Sequence, residues 1–587
     1  MLLVSGTSLV LASWAFMIAL ILALGVGPAI ALAQGAGSGA GALVIARRAL
    51  WFGLSIFLVA GMFLNLFLPM ASPFTAFVIF GLAALSLVIG WIRIRRNPPR
   101  WKPWQIQTTR LTAVIVVTLV VAQAYLALAA LGPLTNYDSG LYHLGAVEYS
   151  RLFPAIPGLA NVYSPLGYAT AEFPLAAALG AGPWGPEGLR LANGLLMAVL
   201  ALDVALRALQ GRRGPGFFVA AVGLVAAWVP LLALSDYWVT SPSQDTAALI
   251  LCVAAAAYLA DAVGRRVAWA ADAATACVAA ISVSLIRPTL GAFTVGVILV
   301  SGVLAVRRRR PRRPTVVVAS VTVAVMGVAA VIATLARDII LSGWLLFPLS
   351  TFPVPVDWRA PDPTFLRLAT LGYHRDPENL WESTEGWNWV ASWIQRLPQS
   401  WETFEFALLG LTAVIFLITA HRWTNLRIRG LGITMLPSIM SVAVWFTLAP
   451  PSFRFGWGPI VTLAAVPIGW SLWRLSRLES KQTAVSAVVG VGVALPLVGV
   501  VAFSAITRLD YASFTDERTW SLGVSIPYAV APLPEVESDP VTTTGGVELL
   551  VPSRNEQCWA VFPLCTPTPL PGLTPRGPGI SDGFVVY

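Results

Sequence analysis

Runs of about twenty apolar residues, each closed by a short polar break, recur along the whole chain. A helix needs about that length to cross the hydrocarbon of a bilayer, so each run reads as one span. About fourteen runs are present, centred near residues 20, 59, 83, 121, 198, 225, 254, 277, 297, 325, 412, 440, 467 and 495. The short alternating segments of a membrane barrel are not seen. The pattern therefore predicts an all-α polytopic membrane protein with extracytoplasmic loops and a small C-terminal tail. The least regular pair flanks Arg287-Pro288, where 268–306 reads either as two full spans or as a re-entrant hairpin.

Composition supports this picture. Of 587 residues, 57% are hydrophobic and 11% are charged, against about 25% charged in soluble domains. A net charge of +10 does not point to nucleic acid, because the basic residues sit in clusters between apolar runs. These are Arg47-Arg48, Arg93 to Arg96, Arg212-Arg213, Arg265-Arg266, Arg307 to Arg313, Arg422 to Arg429 and Arg474 to Lys481. Counting sides from an outer N-terminus puts every cluster on the cytoplasmic face, as the positive-inside rule requires. It also places both termini outside the cell membrane. The Arg307 to Arg313 block either marks topology or touches anionic lipid. The first run, Ser8 to Leu32, ends in a signal-peptidase-like Ala31-Leu32-Ala33, yet no Lys or Arg precedes Arg47, so a retained helix is expected.

The chain divides into N-terminal helices (1–110), a helical core (111–507) and an outer tail (508–587). The core carries two long outer loops, 132–187 and 337–401, and long loops in compact proteins are usually functional or disordered. No internal repeat of the secondary-transporter kind is visible. Cys252 and Cys277 fall in apolar runs and read as core residues. Cys558 and Cys565 lie in the tail, where an outer compartment permits a disulfide; zinc is the alternative, though the tail holds no His.

Candidate chemistry concentrates in Asn136-Tyr137-Asp138-Ser139-Gly140-Leu141-Tyr142-His143, directly after the run Thr112 to Leu131. The same loop holds Glu148, Arg151 and Glu172, and apolar residues from Ser139 to Phe153 predict a short interfacial helix. Asp138 fits two roles, an N-cap of that helix or a general base. In the second loop, Trp387 and Trp389 lie among Glu378, Glu382 and Glu385, which suits either a sugar-binding surface or a packed lid. Asp203 and Arg207 are four apart and are expected to pair. Asp261 and Asp272 sit near the Arg265-Arg266 turn, and no acid stands clearly at a span's middle.

A long apolar chain with an acidic motif in an early outer loop resembles the GT-C superfamily of integral-membrane glycosyltransferases. More closely, the Asn136 to His143 motif followed by Phe153-Pro154-Ala155-Ile156-Pro157-Gly158-Leu159-Ala160-Asn161 resembles a group of uncharacterised bacterial GT-C-like membrane proteins. Further matches are Ser241-Pro242-Ser243-Gln244-Asp245, Arg454-Phe455-Gly456, and a paired-Cys tail ending in Ser581-Asp582-Gly583-Phe584. One departure is that three spans precede the motif loop's own helix, where GT-C proteins usually place the acidic loop after the first helix.

The resemblance implies transfer of a sugar, with inversion, from a polyprenyl-phosphate carrier to an envelope glycan or glycolipid on the outer face. Asp138 matches the acidic motif position and becomes the expected base for the acceptor hydroxyl. Arg454, Arg287 and His143 are then candidates to hold the donor phosphate, and Asp245, Glu148, Trp387 and Trp389 to meet the acceptor. Each has a plainer role: Arg287 as a helix-end marker, Arg454 stacked on aromatics, Asp245 as a helix cap, His143 as an interface hydrogen-bonder. No metal motif is apparent, although Asp138 and Asp245 leave room for a divalent cation. A flippase for lipid-linked sugars and a non-catalytic envelope assembly protein remain as rivals.

Overall fold

In a computed structural model, residues 1–35, 41–96, 109–210, 213–265, 268–308, 313–424 and 428–587 are described. Arg212, Arg266, Arg309, Arg310, Arg312 and Arg427, and with them most of the block considered for lipid contact, lie outside these residues.

Among the described residues, 14 helices are long and apolar enough to cross a membrane. They run Leu2–Gln34, Ala42–Asn65, Pro73–Arg96, Arg110–Ala129, Gly185–Leu209, Pro215–Ala233 and Gln244–Gly264 in the first half. The second half contributes Trp269–Ile286, Pro288–Arg307, Thr315–Ser342, Trp401–Thr424, Gly430–Leu448, Phe453–Leu475 and Glu479–Thr507. The chain is an all-α multi-pass membrane protein, and the segment around Arg287 is two separate helices. The seventh and eighth spans form the centre of the bundle, with 89% and 94% of their apolar windows buried. Small residues let the first two helices touch backbone to backbone. A Cβ on Gly53 would lie 1.7 Å from the Ile21 carbonyl oxygen, and one on Gly25 would lie 1.9 Å from that of Ala49. Such close approach is how helices gain packing energy where no hydrophobic effect separates them from lipid.

The two ends of the bundle differ in character. At one end, Ser5 Oγ donates to the Pro527 carbonyl and Ala531 N donates to Leu131, so the N-terminus, the first long loop and the tail lie together. At the opposite, arginine-rich end, Arg207 bonds Asp203 at 2.9 Å and Asp261 at 2.6 Å, and Arg48 bonds Asp272 at 2.7 Å. The Asp203–Arg207 pair is the one its spacing suggested. Arg47-Arg48 departs from the sequence reading: the pair lies within the second helix, 0% and 1% exposed, not in a loop. The reason is the acids facing it, since Arg47 lies 3.7 Å from Asp261 and 4.0 Å from Asp203 and covers the Tyr258 ring. Arg337 and Asp338, assigned by sequence to the second outer loop, belong to the tenth span, where both are buried.

The tail is folded. It forms three antiparallel strand pairs, Asp516–Ser521 with Ser525–Val530, Ser538–Thr542 with Glu548–Pro552, and Leu573–Pro575 with Phe584–Val586. Arg190, fully buried, donates to the carbonyls of Gly132 and Ala531 and pairs with Glu187 at 2.8 Å, fastening the first strand pair to the helices.

Gly53→Ala is expected to destabilise the protein by about 1–3 kcal/mol through overpacking of this helix contact. Thermal unfolding in detergent checks this, with Gly81→Ala, where nothing among the described residues lies within 4 Å, expected to be near neutral.

Candidate functional site

The Asn136 to His143 motif folds as a cap and a wide turn. Asn136 Oδ1 accepts from Ser139 N at 3.1 Å, and Ser139–His143 forms a π-helical turn running into the helix Leu144–Leu152. Single π turns of this kind gather at functional sites. The short helix predicted by the apolar pattern is present, with Leu144 and Val147 buried in the protein. Asn65, at the end of the second span, anchors it by donating to the carbonyls of Ser150 and Phe153, while Arg337 donates to Asn65 Oδ1 at 2.7 Å. Asp138 occupies the N-cap position without a side-chain cap bond. Its carboxylate instead accepts from Arg454 Nη1 at 2.8 Å, with side chains 22% and 25% exposed.

A second ion pair stands beside the first, between Arg287 and Asp245. The helix Trp269–Ile286 ends before Pro288, which cannot continue the amide ladder, and this leaves Arg287 at the turn. Asp245 lies in the first turn of the seventh span. Arg454 begins the thirteenth, and both guanidiniums cover the Phe455 ring, at 4.9 Å for Arg454 and 4.5 Å for Arg287. His374 of the second long loop meets Phe455 from another side, with ring centroids 5.1 Å apart. Four segments distant in sequence thus bring two carboxylates and two guanidiniums around one phenyl ring.

Behind the ion pairs runs a buried polar chain. Ser139 Oγ and Ser241 Oγ lie 2.6 Å apart, and each reaches His143 Nδ1, at 3.3 and 3.5 Å. Asn193 holds the Ser241 bend by donating to the carbonyls of Trp238 and Ser241. Burial lowers His143 to about 4, with Arg454 and Arg287 adding to the effect against the opposing pull of Asp138. His143 is therefore a neutral imidazole near pH 7, able to donate or accept a hydrogen bond but carrying no cationic charge for a phosphate. Close by, the Phe173 ring lies 5.7 Å from that of His143. Its chain neighbour Glu172 is fully buried, with no hydrogen-bond partner among the described residues on either carboxyl oxygen, and burial raises it to about 8.

The tail closes over the motif. Cys558 and Cys565 are disulfide-bonded, and the loop between them carries Trp559, whose backbone N–H donates to Gly140 O at 2.9 Å. Its indole lies 2.6 Å from where a Cβ on Gly140 would stand, so Gly140 is required for this contact. Gln557 Nε2 donates to Tyr137 O at 2.9 Å, which grips the residues on either side of Asp138. Asn161 joins the two long loops and the tail, donating to the Trp358 and Phe584 carbonyls at 3.0 and 3.1 Å.

The sequence-derived candidates therefore separate. Asp138, Arg454, Arg287, Asp245 and His143 come together. Glu148 is engaged with Arg151 in a two-bond pair at 2.8 and 2.9 Å. Trp387 is exposed, whereas Trp389 is 1% exposed, enclosed by Trp393, Phe446 and Arg375. Trp389 thus packs the second loop against the helix ends and offers no ring to a sugar. Cys252 and Cys277 are buried and free. Sequence reasoning gave no role of their own to Phe455, His374, Ser139 and Ser241; Phe455 and the two serines were legible only as members of motifs, and the stacking of Arg454 on an aromatic ring was its plainer reading. Among the described residues no group of three or more His, Cys, Asp or Glu side chains is arranged to hold a metal ion, and both acids of the site are paired with arginine.

These features define a polytopic membrane protein with a partly exposed, doubly ion-paired cluster at one end of its bundle. Residues 8–461 match the family described as a domain of unknown function, DUF8201, and the chain belongs to that family. The match takes in Asp138, Asp245, Arg287 and Arg454 and stops short of the disulfide-bonded tail. No curated protein matches the chain.

The two buried titratable groups set opposite pH limits. A lowered His143 favours the fold fully above about 6.5 and loses that contribution as pH falls toward about 4. A raised Glu172 contributes below about 4.5 and loses its contribution as pH rises through about 8. The His143 limit amounts to about 3 kcal/mol and the Glu172 limit to about 5 kcal/mol. The two effects offset each other between about pH 4.5 and 6.5, so thermal unfolding of the wild type from pH 4 to 9 should show stability falling from about 6.5 to about 8. Glu172→Gln should remove this alkaline fall and uncover the His143 fall below about 6.5; an alkaline fall that survives the substitution would show that Glu172 is not its source.

Proposed function

We propose that this protein is an inverting glycosyltransferase that takes a sugar from a polyprenyl-phosphate carrier and passes it to a cell-envelope glycan or glycolipid. The observation that carries the reading is the meeting of a carboxylate, Asp138, with two guanidiniums, Arg454 and Arg287, at a partly exposed end of an apolar bundle. A lipid-borne phosphate ester presents its headgroup at this depth, with its chain among the helices. The chemistry then assigns the roles. Asp138 takes the proton of the acceptor hydroxyl as its oxygen bonds to the anomeric carbon. The bond from that carbon to the phosphate oxygen breaks, and its electron pair leaves on the phosphate. The leaving group gains one negative charge, which Arg454 and Arg287 neutralise. The neutral His143, with Ser139 and Ser241, orients the turn that carries Asp138. Asp245 holds Arg287 in place and lines the acceptor side. The face that carries this site is the outer one, with both termini extracytoplasmic.

The charges at the arginine-rich end give the transporter alternative no support, since Asp203, Asp261 and Asp272 are each engaged by arginine. The test is envelope-glycan linkage analysis in a deletion strain complemented at equal expression. Wild type should restore a missing linkage. Asp138→Asn should leave it absent, with in vitro transfer reduced by about 10²- to 10⁴-fold. Full restoration by Asp138→Asn would remove the base assignment and favour an assembly or transport role.

A further inference from the structure

Both guanidiniums of the site are already occupied by carboxylates. Asp138 Oδ2 accepts from Arg454 Nη1 at 2.8 Å, Asp245 pairs with Arg287, and the four charges sum to zero. Phosphate is the stronger claimant on these arginines, because guanidinium offers it a matched pair of N–H donors. Asp138 takes only one nitrogen of Arg454. The Asp138–Arg454 pair is also about a quarter exposed, so water screens it and opening it costs little. The fully buried pairs at the other end, such as Arg207 with Asp203, have no such freedom.

We propose that Arg454 masks Asp138 in the resting protein and that an incoming lipid phosphate takes Arg454 and Arg287, freeing the Asp138 carboxylate for the acceptor. This rests on the glycosyltransferase reading above and adds an order to it: the phosphate donor binds first, and the base becomes available only when a leaving group is in place. The tail supports the exchange, since Gln557 and Trp559 hold the backbone on both sides of Asp138. The side chain can then swing while the turn stays fixed.

The experiment measures binding of farnesyl phosphate, inorganic phosphate and farnesol to the purified full-length protein in nanodiscs, using wild type, Asp138→Asn, Asp138→Ala and Arg454→Gln. Native fold is checked by thiol labelling, because Cys252 and Cys277 are buried and Cys558 and Cys565 are bonded. Removing the competing carboxylate should tighten farnesyl phosphate binding by about 3- to 10-fold in both Asp138 variants. Arg454→Gln should weaken it, and farnesol should bind equally to all four proteins. Tightening by inorganic phosphate alone would keep the masking and name free phosphate as the ligand. Equal affinity in wild type and both Asp138 variants, with Arg454→Gln still weakened, would overturn the masking and leave the phosphate site standing. Binding that ignores Arg454 altogether would overturn both the masking and the phosphate reading.

Discussion

Charge carried at the rim of an apolar bundle has to be paired, and this requirement organises both ends of the molecule. At the arginine-rich end the pairing is buried. Arg47, Arg48 and Arg207 are at most 2% exposed and tie the second, fifth, seventh and eighth spans through Asp203, Asp261 and Asp272. Breaking such a pair leaves a buried charge uncompensated, which costs about 3–5 kcal/mol. The cluster is therefore a clasp. At the loop end the Asp138–Arg454 pair is about a quarter exposed, where water lowers the cost of separation and a ligand can compete. The same chemistry thus becomes structure at one end and a candidate site at the other, and depth decides which.

The loop-end pairs need a frame, because their four residues come from distant parts of the chain. Asn136, Asn65 and Asn193 provide it locally, each spending a side-chain amide on backbone groups of the turns beside the site. Asn161 and Arg190 provide it globally by binding the tail to the loops and helices. The disulfide loop adds a cover seated directly on Gly140 and Tyr137. Buried side chains with several satisfied bonds make such turns rigid.

Much of this was legible in the sequence, and the reasons differ by residue. All fourteen spans could be read because each is longer and more apolar than any soluble helix requires. Asp138 stood out because charge is rare in this chain. Its partner was not legible, since Arg454 is 316 residues away and only folding sets that distance. Arg47-Arg48 misled because a basic pair near a span end looks the same whether it faces water or a buried acid. Trp389 misled for a similar reason, as an aromatic beside carboxylates serves packing and sugar binding with equal composition. The strand pairs of the tail went unassigned because its Pro and Gly content masks short strands.

The most direct measurement is an experimental structure of the wild-type protein in lipid nanodiscs with farnesyl phosphate. The expected result is phosphate density bridging Arg454 and Arg287 over Phe455, with the Asp138 carboxylate turned away from Arg454. Phosphate bound elsewhere, with the Asp138–Arg454 pair intact, would contradict the assignment of this cluster as the site of a phosphate-borne substrate.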